Sequence, residues 1–344
     1  MVSTTAVGLN VLGIVATISC FVYVKSTPKP AKISPNPAAP PPPQQEHSRS
    51  FVNPNWAPYK DGNFVLIDYH DGTTPLTRDD VAFGYELILN KESFEGKFLG
   101  IPNMQDPLDL MILQGLISDL RPDLIVDVGT LCGGSATVWA QLQAVLDIPE
   151  AKVITFDVVD KISKPVCTNH PAAGCNHPLW AKYTASGAIE RFVLGKTGKF
   201  KDPIQETAAI IKRFAAKAKV VFINDDSGHT AHHVKKAFKS FHRFVTPGSF
   251  LVFQDTRMDR VCEVAQRHRS YSAQHRLPAG WFGAVKCDGL NNKGPAAGLR
   301  QLSEEGDLTR AGFVVDRSVE RYSLTQHPGG YLKKTAAAHV NVSK

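Results

Sequence analysis

Four carboxylates in this 344-residue chain each close a short apolar run, and the first of those runs opens into glycines. Leu124-Ile-Val-Asp-Val-Gly-Thr-Leu-Cys-Gly-Gly-Ser-Ala136 reads as a buried strand, a glycine turn and the start of a helix. Gly129, Gly133 and Gly134 let the backbone turn sharply and approach a ligand with no Cβ in the way. A helix from Ser135 to Leu146 then aims its free N–H groups at that ligand. The dinucleotide fingerprint G-x-G-x-x-G does not fit, since the next glycine after Gly129 is Gly133. Lys152-Val-Ile-Thr-Phe-Asp157 is the second run, and a carboxylate there can accept hydrogen bonds from a ribose. The third runs from Lys219 to Asp226, and the fourth is Phe250-Leu-Val-Phe253 followed by Gln254-Asp255. The plainer alternatives are a strand–turn–helix without a ligand and, for Asp157, an ordinary exposed strand end.

The elements that must hold these carboxylates alternate in kind. The sequence predicts helices over Leu108–Leu120, ended by Arg121-Pro122, over Pro203–Ala218, and over His229–Phe244 with Val234, Ala237, Phe238 and Phe241 at helical spacing. Strands alternating with helices imply an α/β fold, a doubly wound and mostly parallel sheet covered on both faces. Ligands of such sheets bind beyond the C-terminal strand ends, where Asp127, Asp157, Asp226 and Asp255 all fall. A strand ending in an acidic residue before glycines is also how many S-adenosylmethionine sites begin.

The N-terminus differs in kind. Ala6 to Val24 holds no charged residue, and as a helix it would span roughly 28 Å, so a transmembrane anchor is expected. A cleaved signal peptide is the rival, with a shorter apolar region and a preceding positive charge. Lys25, Lys29 and Lys32 follow the segment; the positive-inside rule would keep the C-terminal bulk cytosolic, whereas a Golgi-type enzyme needs the opposite. Pro28, Pro30, Pro35, Pro37 and Pro40 to Pro43 make an extended, semi-rigid stalk. The expected layout is an anchor over 1–25, a stalk over 26–60, a catalytic domain over 61–334 and a flexible tail over 335–344. Such a layout suits a single-pass protein of the Golgi or ER lumen. The net charge of +7 is spread out, which gives nucleic-acid binding no support and leaves oligomerisation open. Cys167 and Cys175 bracket a short loop and are either a local disulfide or two ordinary thiols.

In these features the chain resembles the cephalosporin hydroxylase and rhamnosyl O-methyltransferase family over roughly Phe98 to Lys334. The resemblance rests on Phe98-Leu-Gly-Ile-Pro with Asp106-Pro-Leu-Asp109, on Arg121-Pro-Asp-Leu-Ile-Val-Asp-Val-Gly-Thr130 with Gly133-Gly-Ser135, and on Asp226-Ser-Gly-His229. It continues in Val245-Thr-Pro-Gly-Ser-Phe-Leu-Val252, Gln254-Asp-Thr256 and the tail from Phe313 to Tyr331. It implies a Rossmann-like, class I methyltransferase fold and an O-methyltransferase using S-adenosylmethionine, acting on a sugar hydroxyl of a glycan. By the same resemblance Asp127, Gly129, Thr130, Gly133 and Ser135 hold the donor's amino-acid end and Asp157 its ribose. Asp226, Gln254 and Asp255 are implied to hold a divalent cation, magnesium or another. The chain departs from the family in having Asp at 127 for Glu and Gln254 for an acid, which Asp225 next to the site could offset.

The chemistry expected of such a site is an in-line displacement in which positioning supplies much of the rate. A sugar hydroxyl needs a base, and His229, just after Asp226, is the candidate, with His232 and His233 as alternatives. His229 could equally be a helix N-terminal residue or a partner of the metal carboxylates. A non-catalytic donor-binding scaffold is the reading from another class. An iron-dependent hydroxylase would need a facial triad that the sequence does not display.

Overall fold

The computed structural model describes residues 96–169, 173–195, 202–259, 294–320 and 325–335, all within the unit Phe51–Lys344. The expected anchor at 6–24 and the stalk lie outside them. Among the described residues no helix is long and apolar enough to cross a membrane.

A small hairpin, β1 (Lys97–Phe98) with β2 (Ile101–Pro102), precedes α1 (Pro107–Leu120). Asp106 caps α1 by accepting from the N–H groups of Leu108 and Asp109, and Arg121 ends it in the left-handed conformation, its N–H bonded back to the Ile117 carbonyl. The alternation then runs β3 (Leu124–Val128), α2 (Gly134–Val145), β4 (Lys152–Asp157), α3 (Pro178–Ala185), β5 (Ile189–Val193), α4 (Pro203–Ala215), β6 (Val221–Asp225), α5 (Ala231–Phe241) and β7 (Phe250–Phe253). After α6 (Pro295–Glu304) come two strands that the apolar pattern did not announce, β8 (Phe313–Val315) and β9 (Tyr331–Lys334). The expected helix over His229–Phe244 is α5 followed by a 3₁₀ turn over His242–Phe244. The strand expected from Lys219 begins at Val221, because Asp123 takes the N–H groups of Lys219 and Val220.

The seven-stranded sheet has the order β5-β4-β3-β6-β7-β9-β8. All pairs are parallel except β7–β9 and β8–β9. The expected doubly wound, mostly parallel α/β sheet is therefore present, with an antiparallel edge. Side chains alternate across it. Leu124, Val126 and Val128 pack with α4, α5 and α6, whereas Ile125 packs with α1 and α2. From β3 the chain winds outward through β4 to β5, then returns to lay β6 on the other side of β3. The crevice between β3 and β6 is the topological switch point, where sheets of this kind bind ligands.

Candidate active site

At the switch point the turn after β3 touches the turn after β6. Asp226 N–H donates to the Val128 carbonyl at 2.8 Å, and a Cβ on Gly129 would lie 2.2 Å from the Asp226 carbonyl oxygen. With φ at 114°, position 129 excludes any side chain both sterically and conformationally. Around this junction opens a cavity of about 600 Å³, within the range of small-molecule sites.

Of the residues expected to hold the donor, Gly129 and Asp157 reach the cavity wall, while Asp127, Thr130, Gly133 and Ser135 stand behind it. The period of two explains Asp127, which shares the Ile125 face of β3 and points at α2. Its carboxylate accepts from Ser135 Oγ at 3.0 Å, Trp139 Nε1 at 3.0 Å, Thr155 Oγ1 at 3.0 Å and Asn224 Nδ2 at 3.4 Å. Burial pushes its pKa up to about 6 against those four donors, so it remains ionised at pH 7. Asp127 and Ser135 thus stand in an internal network that braces the turn. Thr130 Oγ1 meets Thr155 Oγ1 at 2.7 Å, and Gly133 caps α2 with φ at 74° against the Trp180 ring. Asp157, at the tip of β4, accepts from the N–H groups of Leu131 at 3.0 Å and Val159 at 3.1 Å, with Lys161 Nζ 4.0 Å away.

The sulfur chemistry also differs from expectation. Cys167 is bonded to Cys132 of the glycine turn, and Cys175 is free. The parallel pairing of β3 with β4 sets the turn and the following loop side by side, which spacing alone did not reveal.

On the other side of the crevice, ligand atoms of Asp226, His229 and Asp255 all lie within 4.8 Å of one another. His229 Nε2 is 3.9 Å from Asp226 Oδ1, and its Nδ1 is 3.7 Å from Asp255 Oδ2. Those gaps are too long for hydrogen bonds. Two carboxylates facing an imidazole across them fit a hard divalent cation, which takes one or two carboxylate oxygens. Gln254 is buried on the same cavity wall, where its Nε2 donates to Asn224 Oδ1 at 2.8 Å. Asp225 is engaged elsewhere, because Ser227 Oγ and His233 Nε2 bond its two oxygens at 2.5 and 3.2 Å. Burial lowers the His233 pKa, but the hydrogen bond and charge of Asp225 outweigh that and raise it. His233 is therefore held as a clamp on Asp225, and His232 is exposed off the cavity. Of the three histidines weighed as base, His229 alone stands between the carboxylates.

Asp226 keeps 29% of its side chain open, and that surface faces the cavity. Enclosure raises its pKa, with His229 and His327 opposing. Asp255 has φ at 57°, a left-handed conformation that is uncommon outside glycine, though aspartate tolerates it better than most. The group that holds it is His327, a residue that periodicity could not reveal, whose Nδ1 accepts the Asp255 N–H at 2.9 Å. His327 belongs to a C-terminal strap. Arg257 N–H donates to the Gln326 carbonyl, Thr256 Oγ1 to the Pro328 carbonyl and Phe253 N–H to the Gly330 carbonyl. Fully buried Asp109 of α1 secures the strap through Thr325 Oγ1, Gln326 N–H at 2.7 Å and Tyr331 Oη at 2.9 Å. Burial lowers the His327 pKa to about 4, so its ring is neutral at pH 7.

A family model described as "Rhamnosyl O-methyltransferase/CmcI" matches residues 90–197 and 202–278. Rhamnosyl O-methyltransferases of Mycobacterium tuberculosis and Mycobacterium bovis are each 23% identical over 162 residues, 47% of this chain and 57% of theirs. The chain thus spans little more than half the length of those relatives. A solved CmcI structure with magnesium and S-adenosylmethionine is 15% identical, covering 70% of this chain and 77% of that one at a TM-score of 0.40. The MycE methyltransferase of the mycinamycin pathway, in complex with magnesium, S-adenosylhomocysteine and mycinamycin VI, is 14% identical. It covers 67% of this chain and 50% of that one at a TM-score of 0.33. At those scores the two structures carry no argument about function.

Proposed function

The chain belongs to the rhamnosyl O-methyltransferase/CmcI family, and from that premise we propose that it transfers a methyl group from S-adenosylmethionine to a sugar hydroxyl of a glycan. The observation that carries the proposal is the junction at Gly129. A side-chain-free turn and the Asp157 carboxylate stand on one side of a single cavity, and Asp226, His229 and Asp255 stand on the other. The donor lies against Gly129, Leu131 and Asp157, with its ribose hydroxyls donating to Asp157. Asp127, Thr130 and Ser135 act at one remove, fixing the shape of the turn.

The reaction is an in-line displacement. The acceptor oxygen forms a bond to the methyl carbon as the carbon–sulfur bond breaks, its electron pair neutralises the sulfonium, and S-adenosylhomocysteine leaves. The acceptor proton passes to His229, whose imidazole is held between two carboxylates that stabilise the resulting cation. Asp226 and Asp255 would hold a divalent cation, which when bound polarises the acceptor hydroxyl. Holding the reacting atoms in line is where most of the rate arises.

The same reading keeps residues 6–24 as a membrane anchor, 26–60 as a stalk and 61–334 as the catalytic domain, set in the Golgi or ER lumen. Protease protection of the catalytic domain in sealed microsomes tests that placement; digestion without detergent would reverse the orientation. For the activity, calorimetry with S-adenosylhomocysteine comes first, and no binding would end the proposal. Mass spectrometry of glycans from cells lacking the protein then reads the loss of one methyl increment.

A further inference from the structure

Asp226 stands where the two halves of the cavity meet, yet among the described residues its carboxylate accepts a hydrogen bond only from Gln105 Nε2, at 3.3 Å. What aims it lies in its two chain neighbours. Asp225, the last residue of β6, shares the strand face of Val221 and Ile223, and its side chain is 1% exposed. Ser227 Oγ donates to Asp225 Oδ1 at 2.5 Å. The Nε2–H of His233, in the first turn of α5, is shared between Asp225 Oδ2 at 3.2 Å and Ser227 Oγ at 3.0 Å. One imidazole nitrogen therefore ties together the residues before and after Asp226.

The ring is fitted closely to the turn. A Cβ on Gly228 would lie 2.4 Å from Cγ and Nδ1 of His233, so glycine there makes room for the imidazole. Thr230, the N-cap of α5, accepts the His233 N–H at 3.1 Å and donates its own N–H to the Gly228 carbonyl at 3.0 Å. From the β3 side, the Val128 carbonyl holds the Asp226 N–H. The backbone of Asp226 is thus fixed on both flanks, and its side chain faces the cavity beside His229 and Asp255. We infer that His233 is a positioning residue of the cation site. It acts at one remove, through Asp225 and Ser227, by fixing the Asp226 carboxylate beside Asp255. A carboxylate already held in place loses less freedom when an ion binds, so the clamp is expressed as cation affinity. This rests on the methyltransferase reading only for the use to which the cation is put.

The test uses the full chain, with manganese affinity read by electron paramagnetic resonance and S-adenosylhomocysteine affinity by calorimetry without added cation. His233→Phe keeps a ring over Gly228 but has no Nε2–H, and His233→Gln returns an amide N–H near that position. The Phe variant should bind manganese at least tenfold more weakly with S-adenosylhomocysteine affinity within twofold. The Gln variant should recover manganese affinity to within threefold of wild type. Were His233 there only to fill space, the Phe variant would bind manganese at least as well as the Gln variant. In ¹⁵N-histidine-labelled wild type, magnesium should slow hydrogen exchange at His233 Nε2, because coupling between the clamp and the cation is reciprocal. That measurement decides the matter if the Phe variant does not fold. The inference is overturned if the Phe variant binds manganese as wild type does, if glutamine gives no rescue, if both affinities fall in parallel, or if magnesium leaves the exchange rate unchanged. Wild type that binds no manganese overturns it as well. Wild type that binds manganese but no S-adenosylhomocysteine defeats the methyltransferase reading instead, so the two failures are distinct.

Discussion

His229 and Asp127 show how one residue's neighbours decide its work. His229 faces carboxylates through both ring nitrogens, a geometry that serves either a base or a cation ligand. As a base it should be worth about 10²- to 10⁴-fold in turnover. His229→Ala should therefore lose that much while manganese affinity, read by electron paramagnetic resonance, stays within threefold; a collapse of affinity would make His229 a ligand. Asp226→Asn should lose both turnover and manganese affinity. Asp127 gives a pH signature. Its folded pKa of about 6 lies above the ordinary 3.8, so the folded state holds more protons than the unfolded state between those values. Stability from this group is accordingly greatest below pH 4 and falls as pH rises through about 6, by on the order of 3 kcal/mol for about two units. Urea titrations from pH 4 to 7 should show the stability of wild type relative to Asp127→Asn falling by that amount as pH rises, since the slopes from the other shifted groups, His327 among them, are common to both and cancel in the difference. Asp127 was legible as a key residue, but its direction was not, although the strand period that sends Ile125 toward α2 sends Asp127 there too.

At the scale of elements, what could be read was what burial writes into the sequence. β3, β4, β6 and β7 are apolar runs because both of their faces are covered, and each was visible. β5 carries Glu190 and Arg191 at the sheet edge, and β8 and β9 are only three and four residues long, too short for a local period to mark them. The Cys132–Cys167 bond needed the β3–β4 register, and the strap needed Asp109, some 216 residues before Thr325. The glycine turn is where these elements are least tolerant. Gly129→Ala brings a methyl to 2.2 Å from the Asp226 carbonyl, which must separate the two turns. Donor affinity should fall at least tenfold in calorimetry, with cation affinity also reduced because Asp226 shifts. Cys132→Ser opens a loop of sequence separation 35, a constraint worth about 3 to 4 kcal/mol in the unfolded chain. A lower denaturation midpoint with donor affinity weakened in parallel is expected, because the bond ties down the turn that carries Leu131.

For the molecule as a whole, the strand order decides that two half-sites become one. Had β6 been laid beside β5, the turn after β3 and the acidic turn after β6 would sit strands apart; placed against β3, they touch through Asp226 N–H and the Val128 carbonyl. Binding of the donor product should therefore stabilise the entire sheet and not only its own turn. A ligand at a hundred times its Kd adds about 2.7 kcal/mol to the folded state. For a domain of this size about 2–4 °C accompanies each kcal/mol, so a rise in Tm of roughly 5 to 10 °C is expected. Asp157→Asn keeps the N–H contacts to Leu131 and Val159 partly satisfied but weakens the ribose site, and it should cut the rise by more than half. Magnesium added after S-adenosylhomocysteine should raise Tm again in wild type and not in Asp226→Asn. If the two ligands instead produced separate transitions, the halves of the cavity would belong to independent folding units, contrary to the continuous pairing from β4 through β3 and β6 to β7.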